Sequence, residues 1–228
     1  ILMGPPGTGK TEIAKLLGKM YAKMGILKSK TFKKVTRTDL VAGYLGQTAI
    51  KTRKVIDECM NGVLFIDEAY SLQPDDNFAK ECVDTLCEAL SDHKNNLMVI
   101  IAGYEKELLD TIFKTNEGLK SRFIWSFSIE SYSSKELYLI FKHLAKCRKW
   151  EVDNSVKCNW FESNKECFSY NGRTMEQLFT YCKICHSKRI YGKTNVIAKQ
   201  LNLDDINEGL CMLKQNCKKE NKFFGLYI

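Results

Sequence analysis

The sequence of 228 residues lacks the features of several protein classes. Its longest apolar run, residues 97–103, is too short to span a bilayer, and we find no secretory signal. It also has no internal repeat and no low-complexity tract. We therefore predict an intracellular protein, in the cytoplasm or an organelle stroma, with no membrane partner. Because the chain opens with Ile1 rather than Met, we interpret it as a fragment without its N-terminal flank.

Charge of one sign is in only moderate excess, with 35 Lys and Arg against 27 Asp and Glu. The resulting net charge of +8 permits contact with nucleic acid but does not argue for it. The hydrophobic share of 44% is typical of a globular chain, and the length predicts one large domain or one and a half. Ten cysteines without a secretory signal favour reduced thiols, several of them in helix cores.

The hydrophobic pattern divides the chain near residue 130. Before it, short apolar runs alternate with helical periodicity, which predicts a parallel five-stranded sheet flanked by helices, with the fifth strand at residues 123–129. After it, a capping box at Ser133 and Glu136 and a helix over 174–190 predict a small all-α domain. We predict an α/β domain at 1–130, a helical lid domain at 131–213 and a C-terminal tail of unassigned role at 214–228.

One segment fits the phosphate-binding pattern G-x-x-x-x-G-K-[ST] between a predicted strand and a predicted helix. Its residues are Gly4, Pro5, Pro6, Gly7, Thr8, Gly9, Lys10 and Thr11. The glycines let backbone N–H groups surround phosphates, Lys10 brings a cation to the β and γ oxygens, and Thr11 offers a hydroxyl to Mg²⁺. The strand–loop–helix context disfavours the alternative of a plain glycine-rich turn. The segment therefore predicts a P-loop NTPase fold that binds ATP and Mg²⁺.

A second signal is the acid pair that follows the apolar run of residues 63–66, about 55 residues after the loop. An acid at the carboxyl end of a buried strand can hold Mg²⁺, and the next acid can activate water. We therefore assign Asp67 to the metal together with Thr11, and Glu68 to catalysis. The alternative is an aspartate that merely caps a helix.

These two motifs resemble those of AAA+ ATPases. Residues 35–49, 101–104 and 118–123 resemble the narrower group of CbbX (CfxQ) rubisco activases and stage V sporulation protein K, and the likeness covers about residues 1–190. The resemblance implies a P-loop sheet followed by a helical lid. It also implies a ring, expected to be a hexamer, that couples ATP hydrolysis to remodelling of a protein client.

The resemblance also implies roles for three matched positions. Arg122 lies where the family carries its arginine finger, which completes a neighbouring subunit's catalytic site beside that subunit's Lys10 and Glu68. Arg173 resembles the sensor-2 arginine that contacts nucleotide from the lid. Tyr44, near Gly43 and Gly46, resembles the pore-loop aromatic that grips the client. The alternatives are a surface arginine that caps a strand for Arg122, a chance match of a short segment for Arg173 and a core tyrosine for Tyr44.

Two further function classes stay open at this point. One is a nucleic-acid remodelling or loader module, which the basic charge permits but does not favour, and the other is a nucleotide-regulated scaffold with little turnover.

The string from Cys182 to His186 matches a haem-attachment pattern. We reject haem because Cys182 continues the apolar face of a predicted helix.

Overall fold

The computed structural model describes residues 1–44, 46–193 and 198–224. Leu45, in the segment that resembles the CbbX group, and the last four residues of the predicted tail lie outside the described residues. The chain folds into two units. The first contains Ile1–Pro5 and Gly9–Glu130, and the second contains Pro6–Thr8 and the residues from Ser131 onward.

Five parallel strands form the sheet of the first unit. They are β1 (Leu2–Met3), β2 (Phe32–Val35), β3 (Val63–Ile66), β4 (Met98–Gly103) and β5 (Phe127–Ser128). Their order across the sheet is β2-β3-β4-β1-β5, and each neighbouring pair is parallel. Strand β3 is buried along its whole length, as its uninterrupted apolar run predicts. The predicted fold class, a parallel five-stranded sheet flanked by helices, is confirmed.

Helices cover both faces of this sheet. Successive side chains of β3 point to opposite sides, and because all of them are apolar, each face requires a packing partner. Leu64 and Ile66 join a core with α3 and α4, whereas Val63 and Phe65 pack with Ala14 of α1. The helices of the first unit are α1 (Lys10–Lys23), α2 (Arg37–Leu40), α3 (Thr48–Glu58), α4 (Asn77–Asp92), α5 (Glu105–Asp110), α6 (Ile112–Thr115) and α7 (Glu117–Arg122), with a 3₁₀ turn at Ala69–Ser71.

The fifth strand is much shorter than predicted. The alternation over residues 123–129 favoured a strand of seven residues, but β5 has two, and Trp125 and Phe127 are 73% and 53% exposed. The physical reason is that β5 pairs with β1, which itself has only two residues. Alternation at the edge of a sheet therefore overestimates the length of the strand.

The second unit is mainly helical. Its elements are α8 (Ser134–Cys147), β6 (Glu151–Val152), α9 (Cys158–Ser163), a 3₁₀ turn at Lys165–Cys167, α10 (Asn171–Ile190), β7 (Gln200–Leu201) and α11 (Leu203–Phe224). The predicted capping box is present, since Ser133 and Glu136 bond reciprocally. The sequence offers no signal for the parallel β6–β7 pair because two-residue strands show no periodicity. Helix α11 also continues past residue 213, where we predicted the tail to begin.

A buried polar network joins α10 to α11. Arg189 Nε and Nη2 donate to the two carboxylate oxygens of Asp205 at 2.8 and 2.9 Å, and the Asn202 N–H donates to Asp205 Oδ2 at 3.0 Å. His186 lies beside them, with Nδ1 3.0 Å from Arg189 Nη2. Burial raises the pKa of Asp205, but hydrogen bonds from Arg189 and Asn202 outweigh it and the net pKa is lowered.

Among the described residues, we find no helix with both the length and the apolar character required to cross a bilayer. Cys182, which the haem-like string contains, is fully buried in the core of the second unit. Burial raises the pKa of its thiol, in keeping with a packed, reduced side chain.

Candidate nucleotide-binding site

The predicted phosphate-binding loop connects β1 to α1. The Gly4 N–H donates to the Gly103 carbonyl of β4 at 3.2 Å, which ties the start of the loop to the sheet. Position 4 requires glycine, because its φ is +150° and a Cβ there would lie 2.3 Å from the Ile129 carbonyl oxygen. Gly9 takes the left-handed conformation at the N-terminus of α1. The loop is therefore set by local backbone geometry that other residue types do not favour.

Lys10 folds back over this loop. Its ammonium donates to the carbonyl oxygens of Gly4 at 2.7 Å and Pro5 at 2.8 Å. The same nitrogen lies 5.7 Å from the centroid of the Tyr104 ring, at cation–π distance. Thr11 follows in the first turn of α1 and is half-buried. A cation and a hydroxyl thus both lie in the first turn of α1, at the N-terminus, where backbone N–H groups attract anions.

The acid pair lies directly after β3. The Asp67 N–H continues the sheet by donating to the Val35 carbonyl at 2.9 Å. Asp67 Oδ1 accepts the Glu68 N–H at 3.1 Å, and Oδ2 lies 2.6 Å from Lys34 Nζ. Glu68 is exposed and has φ +52° and ψ +42°, a left-handed conformation that is uncommon for a non-glycine residue. The two carboxylates therefore differ: Asp67 is held by neighbours, and Glu68 is turned out to solvent.

An aromatic pair links this acid pair to Lys10. Tyr104 follows β4, and its ring stacks on Tyr70 with centroids 5.6 Å apart. Burial raises the pKa of Tyr70 to about 12, and the negative charge of Glu68 adds to the effect. The sequence-based predictions include Tyr104 only within residues 101–104, which resemble the CbbX group, and they assign Tyr70 and Lys34 no role. The available signal was position, since Tyr104 follows a buried strand at the same edge of the sheet as the loop.

The donor types at this edge suit Mg²⁺. The Thr11 hydroxyl and the Asp67 carboxylate are hard oxygen ligands, which Mg²⁺ prefers. The described residues contain no group of three or more His, Cys, Asp and Glu side chains that could hold a metal. Mg²⁺ typically uses one or two carboxylates and fills its other positions with water and phosphate oxygens.

Three loop residues, Pro6–Thr8, group with the second unit. The Tyr132 hydroxyl donates to the Thr8 carbonyl at 2.8 Å, Asn171 Nδ2 donates to the Pro6 carbonyl at 3.2 Å, and the Gly172 N–H donates to the Gly7 carbonyl at 3.0 Å. Arg173 is the next residue, exposed in the first turn of α10. The predicted sensor arginine thus directly follows a residue bonded to the loop.

Arg122 and Tyr44 lie on the surface of the first unit. Arg122 ends α7, where Nε and Nη2 donate to Ser91 Oγ at 2.9 and 2.7 Å and Nη1 donates to the Gly118 carbonyl at 2.7 Å. Tyr44 lies in the loop between α2 and α3 and is 73% exposed. This exposure contradicts the alternative that Tyr44 is a core residue.

Comparison with known proteins identifies the family. Residues 1–124 match the family described as "ATPase family associated with various cellular activities (AAA)". The chain belongs to the AAA ATPase family. The match covers the phosphate-binding loop, the acid pair and four of the five strands, β1 to β4, and it confirms the family that the motifs predicted.

Relatives of this AAA chain include a putative cfxQ-like protein of Acanthamoeba polyphaga mimivirus, 36% identical over all of this chain and 58% of the relative. The ESX-3 secretion system protein EccA3 of Mycolicibacterium smegmatis is 42% identical over 65% of this chain and 25% of its own length. The AAA chain thus spans less than two thirds of either relative. The predicted resemblance to the CfxQ group is confirmed by the first of them.

Among solved structures, the FIGL-1 AAA domain in complex with ADP matches this chain with a TM-score of 0.63. It is 21% identical in sequence, and the match covers 97% of this chain and 77% of that one. The likeness shows that both share the AAA fold.

Proposed function

We propose that this AAA chain binds ATP with Mg²⁺ and hydrolyses it. The observation that carries the proposal is the edge of the sheet where the loop lysine, Lys10, and the acid pair that follows β3 are linked through the stacked rings of Tyr104 and Tyr70. Ligands of open parallel sheets bind at this edge. Membership of the AAA family supports the same function.

Each residue has a defined role in this proposal. The loop N–H groups and Lys10 hold the phosphates, and Lys10 exchanges its contacts with the Gly4 and Pro5 carbonyls for phosphate oxygens. Thr11 and Asp67 would hold Mg²⁺, which neutralises charge that develops on the phosphates. Glu68, exposed beside Asp67, accepts a proton from the attacking water.

Two arginines complete the proposed site. Arg122 acts on the nucleotide of a neighbouring subunit. In support, among the described residues its exposed guanidinium bonds to a serine hydroxyl and a carbonyl and pairs with no carboxylate. Arg173 is the second arginine proposed to contact the nucleotide, as its resemblance to a sensor-2 arginine implies. A finger supplied by a neighbour requires assembly, so we propose a homo-oligomer, expected to be a hexameric ring.

The proposed substrate of the ring is a protein client. Tyr44 offers a large apolar contact that does not depend on the client's sequence, and it stands on an exposed loop with Gly43 and Gly46 beside it. If the ring instead acts on nucleic acid, DNA rather than an unfolded protein will raise the ATPase rate. The two stimulations are compared at one stated salt concentration, because binding to nucleic acid weakens steeply with salt.

The ATPase proposal is tested with Glu68→Gln. The amide cannot accept the proton, so we expect ATP binding by calorimetry to persist while turnover falls about 10²- to 10⁴-fold. Glu105→Gln, which removes another exposed carboxylate, from α5, serves as the matched control and should keep full turnover. Near-normal hydrolysis by Glu68→Gln would remove Glu68 from catalysis.

A second variant tests the phosphate-binding loop itself. Lys10→Ala should abolish binding of ATP, because it removes the cation that the loop supplies to the β and γ phosphates. Undiminished binding would overturn the assignment of the loop.

A further inference from the structure

Asp67, the carboxylate proposed to hold Mg²⁺, has a cationic neighbour in its own chain. Lys34 Nζ lies 2.6 Å from Asp67 Oδ2, within the distance of an ion pair. The side chains of Lys34 and Asp67 are 48% and 20% exposed, so the pair lies at the surface of the sheet edge. Neither the motifs nor the family match assigns a role to Lys34.

Sheet register explains why this lysine reaches the site. Lys34 of β2 is opposite Phe65 of β3, and residues two apart on a strand share a face. Asp67 follows Phe65 by two positions, and its N–H still pairs with the Val35 carbonyl. Lys34, Phe65 and Asp67 therefore lie on the face of the sheet that packs against α1, where Thr11 also lies.

The preceding lysine provides an internal contrast. Lys33 points to the opposite face of β2 and pairs with Glu58 at the end of α3. Its side chain is 36% exposed, close to the exposure of Lys34, and it carries the same charge. The two lysines thus differ chiefly in which carboxylate they meet.

The pair leaves Asp67 with both carboxylate oxygens engaged. Oδ1 accepts the Glu68 N–H, and Oδ2 lies 2.6 Å from the Lys34 ammonium. A hydrated Mg²⁺ at this carboxylate would have to displace the Lys34 ammonium or share the carboxylate with it, and the two cations repel each other.

We propose that Lys34 is a positioning residue that competes with Mg²⁺ for Asp67 and so lowers the metal affinity of the nucleotide site. The inference rests on the proposed function, in which Asp67 holds the metal. Without metal, Lys34 keeps the carboxylate neutralised and oriented beside β2. When the metal–nucleotide complex binds, the ammonium moves off Asp67, and its long side chain allows this movement.

The test measures metal binding rather than turnover. Mn²⁺ is titrated into the chain saturated with ADP, and free Mn²⁺ is followed by electron paramagnetic resonance. Lys34→Met should lower the Kd for Mn²⁺ roughly two- to fivefold, the range expected for the loss of a half-exposed charge pair. The difference should shrink at high salt, because salt screens exposed charges. Lys33→Met, the matched control, should leave the Kd unchanged.

Further variants keep the proposal falsifiable. Lys34→Gln should behave like Lys34→Met, and Lys34→Arg should keep the parental Kd. An unchanged or raised Kd in a folded Lys34→Met or Lys34→Gln variant would overturn the proposal. Asp67→Asn separates this failure from that of the proposed function: if it leaves Mn²⁺ affinity intact, Asp67 is not the metal carboxylate, and both proposals fall.

Discussion

The two units of this chain hold their charged residues in different ways. In the second unit, Asp205 is 1% exposed, and it receives two bonds from Arg189 and one from the Asn202 N–H. In the first unit, the Asp67 side chain is 20% exposed and meets the flexible ammonium of Lys34 and its neighbour's N–H. One carboxylate is fixed by the fold, and the other has partners that a ligand can replace.

The arginines show the same contrast. Arg189 is held by a buried carboxylate and also donates to the Gln200 carbonyl, whereas exposed Arg122 is held by the Ser91 hydroxyl and the Gly118 carbonyl. Partners without charge are more easily exchanged than a buried carboxylate. The contrast teaches that, in this chain, weakly held charge marks the residues proposed to act on nucleotide, and strongly held charge marks those that stabilise the fold.

The largest expected effect is on turnover, from Arg122→Ala. A finger that stabilises charge on the transferred phosphoryl group contributes about 10³- to 10⁵-fold to the rate, so ATPase activity should nearly disappear. The free energy of unfolding should change by no more than about 0.5 kcal/mol, as for most surface substitutions. Lys120→Ala, on the same helix end and also exposed, should keep turnover.

The dependence of ATPase activity on protein concentration provides a second test of this prediction. If Arg122 acts on a neighbour, the specific activity of the parent protein should rise with protein concentration as subunits assemble. A concentration-independent rate together with an active Arg122→Ala variant would break the comparison, because Arg122 would then be an ordinary surface residue.

The next largest effect is on stability, from Asp205→Asn. Removing one partner of a buried ion pair leaves Arg189 uncompensated, and we expect a loss of about 3–5 kcal/mol in the free energy of unfolding. Urea unfolding followed by tryptophan fluorescence suits this test, because the Trp150 ring lies 5.0 Å from the His186 ring beside the pair. Asp204→Asn, its exposed neighbour on α11, should change little. Equal effects of the two substitutions would contradict the structural role.

Acid should reduce the difference between Asp205→Asn and the parent. Because the pKa of Asp205 is lowered in the folded state, its contribution is fully present above the ordinary aspartate value of about 4. The contribution is lost as the pH falls through the lower folded value. Unfolding curves below about pH 4 should therefore converge, and curves that stay apart there would show that the carboxylate charge is not what stabilises the pair.

The smallest effect on stability is expected from Tyr44→Ala. With 73% of Tyr44 exposed, truncation should change the free energy of unfolding by less than about 0.5 kcal/mol and leave basal ATPase intact. Stimulation by an unfolded protein client should be lost. Phe179→Ala is the contrasting control, since Phe179 is fully buried and its truncation should cost about 3–5 kcal/mol. Full client stimulation in Tyr44→Ala would refute the pore-loop role.

Local pattern was enough to predict the parts of the fold that local geometry determines. The phosphate-binding loop, the buried strand β3 and the capping box at Ser133 each follow from a few adjacent residues. The length of β5 and the β6–β7 pair could not be predicted, because two-residue strands exist through distant partners. The roles of Arg122, Arg173 and Tyr44 stay predictions.

The ion pair of Lys34 and Asp67 shows the same limit within the site. It depends on the register between β2 and β3, which joins residues more than 30 positions apart. Similarly, the stack of Tyr70 on Tyr104 requires the ends of β3 and β4 to lie side by side. Sequence motifs therefore located the loop and the acid pair but not the residues that surround them.

The left-handed backbone at Glu68 has a consequence for engineering. A side chain in this conformation costs on the order of 1 kcal/mol relative to glycine, which adopts it freely. A screen that rewards only heat resistance should therefore enrich Glu68→Gly, and in doing so it would select a sturdier chain without its proposed base. Directed evolution of a thermostable form would have to measure hydrolysis in every round, because at this position the substitution that raises stability removes the proposed catalytic group.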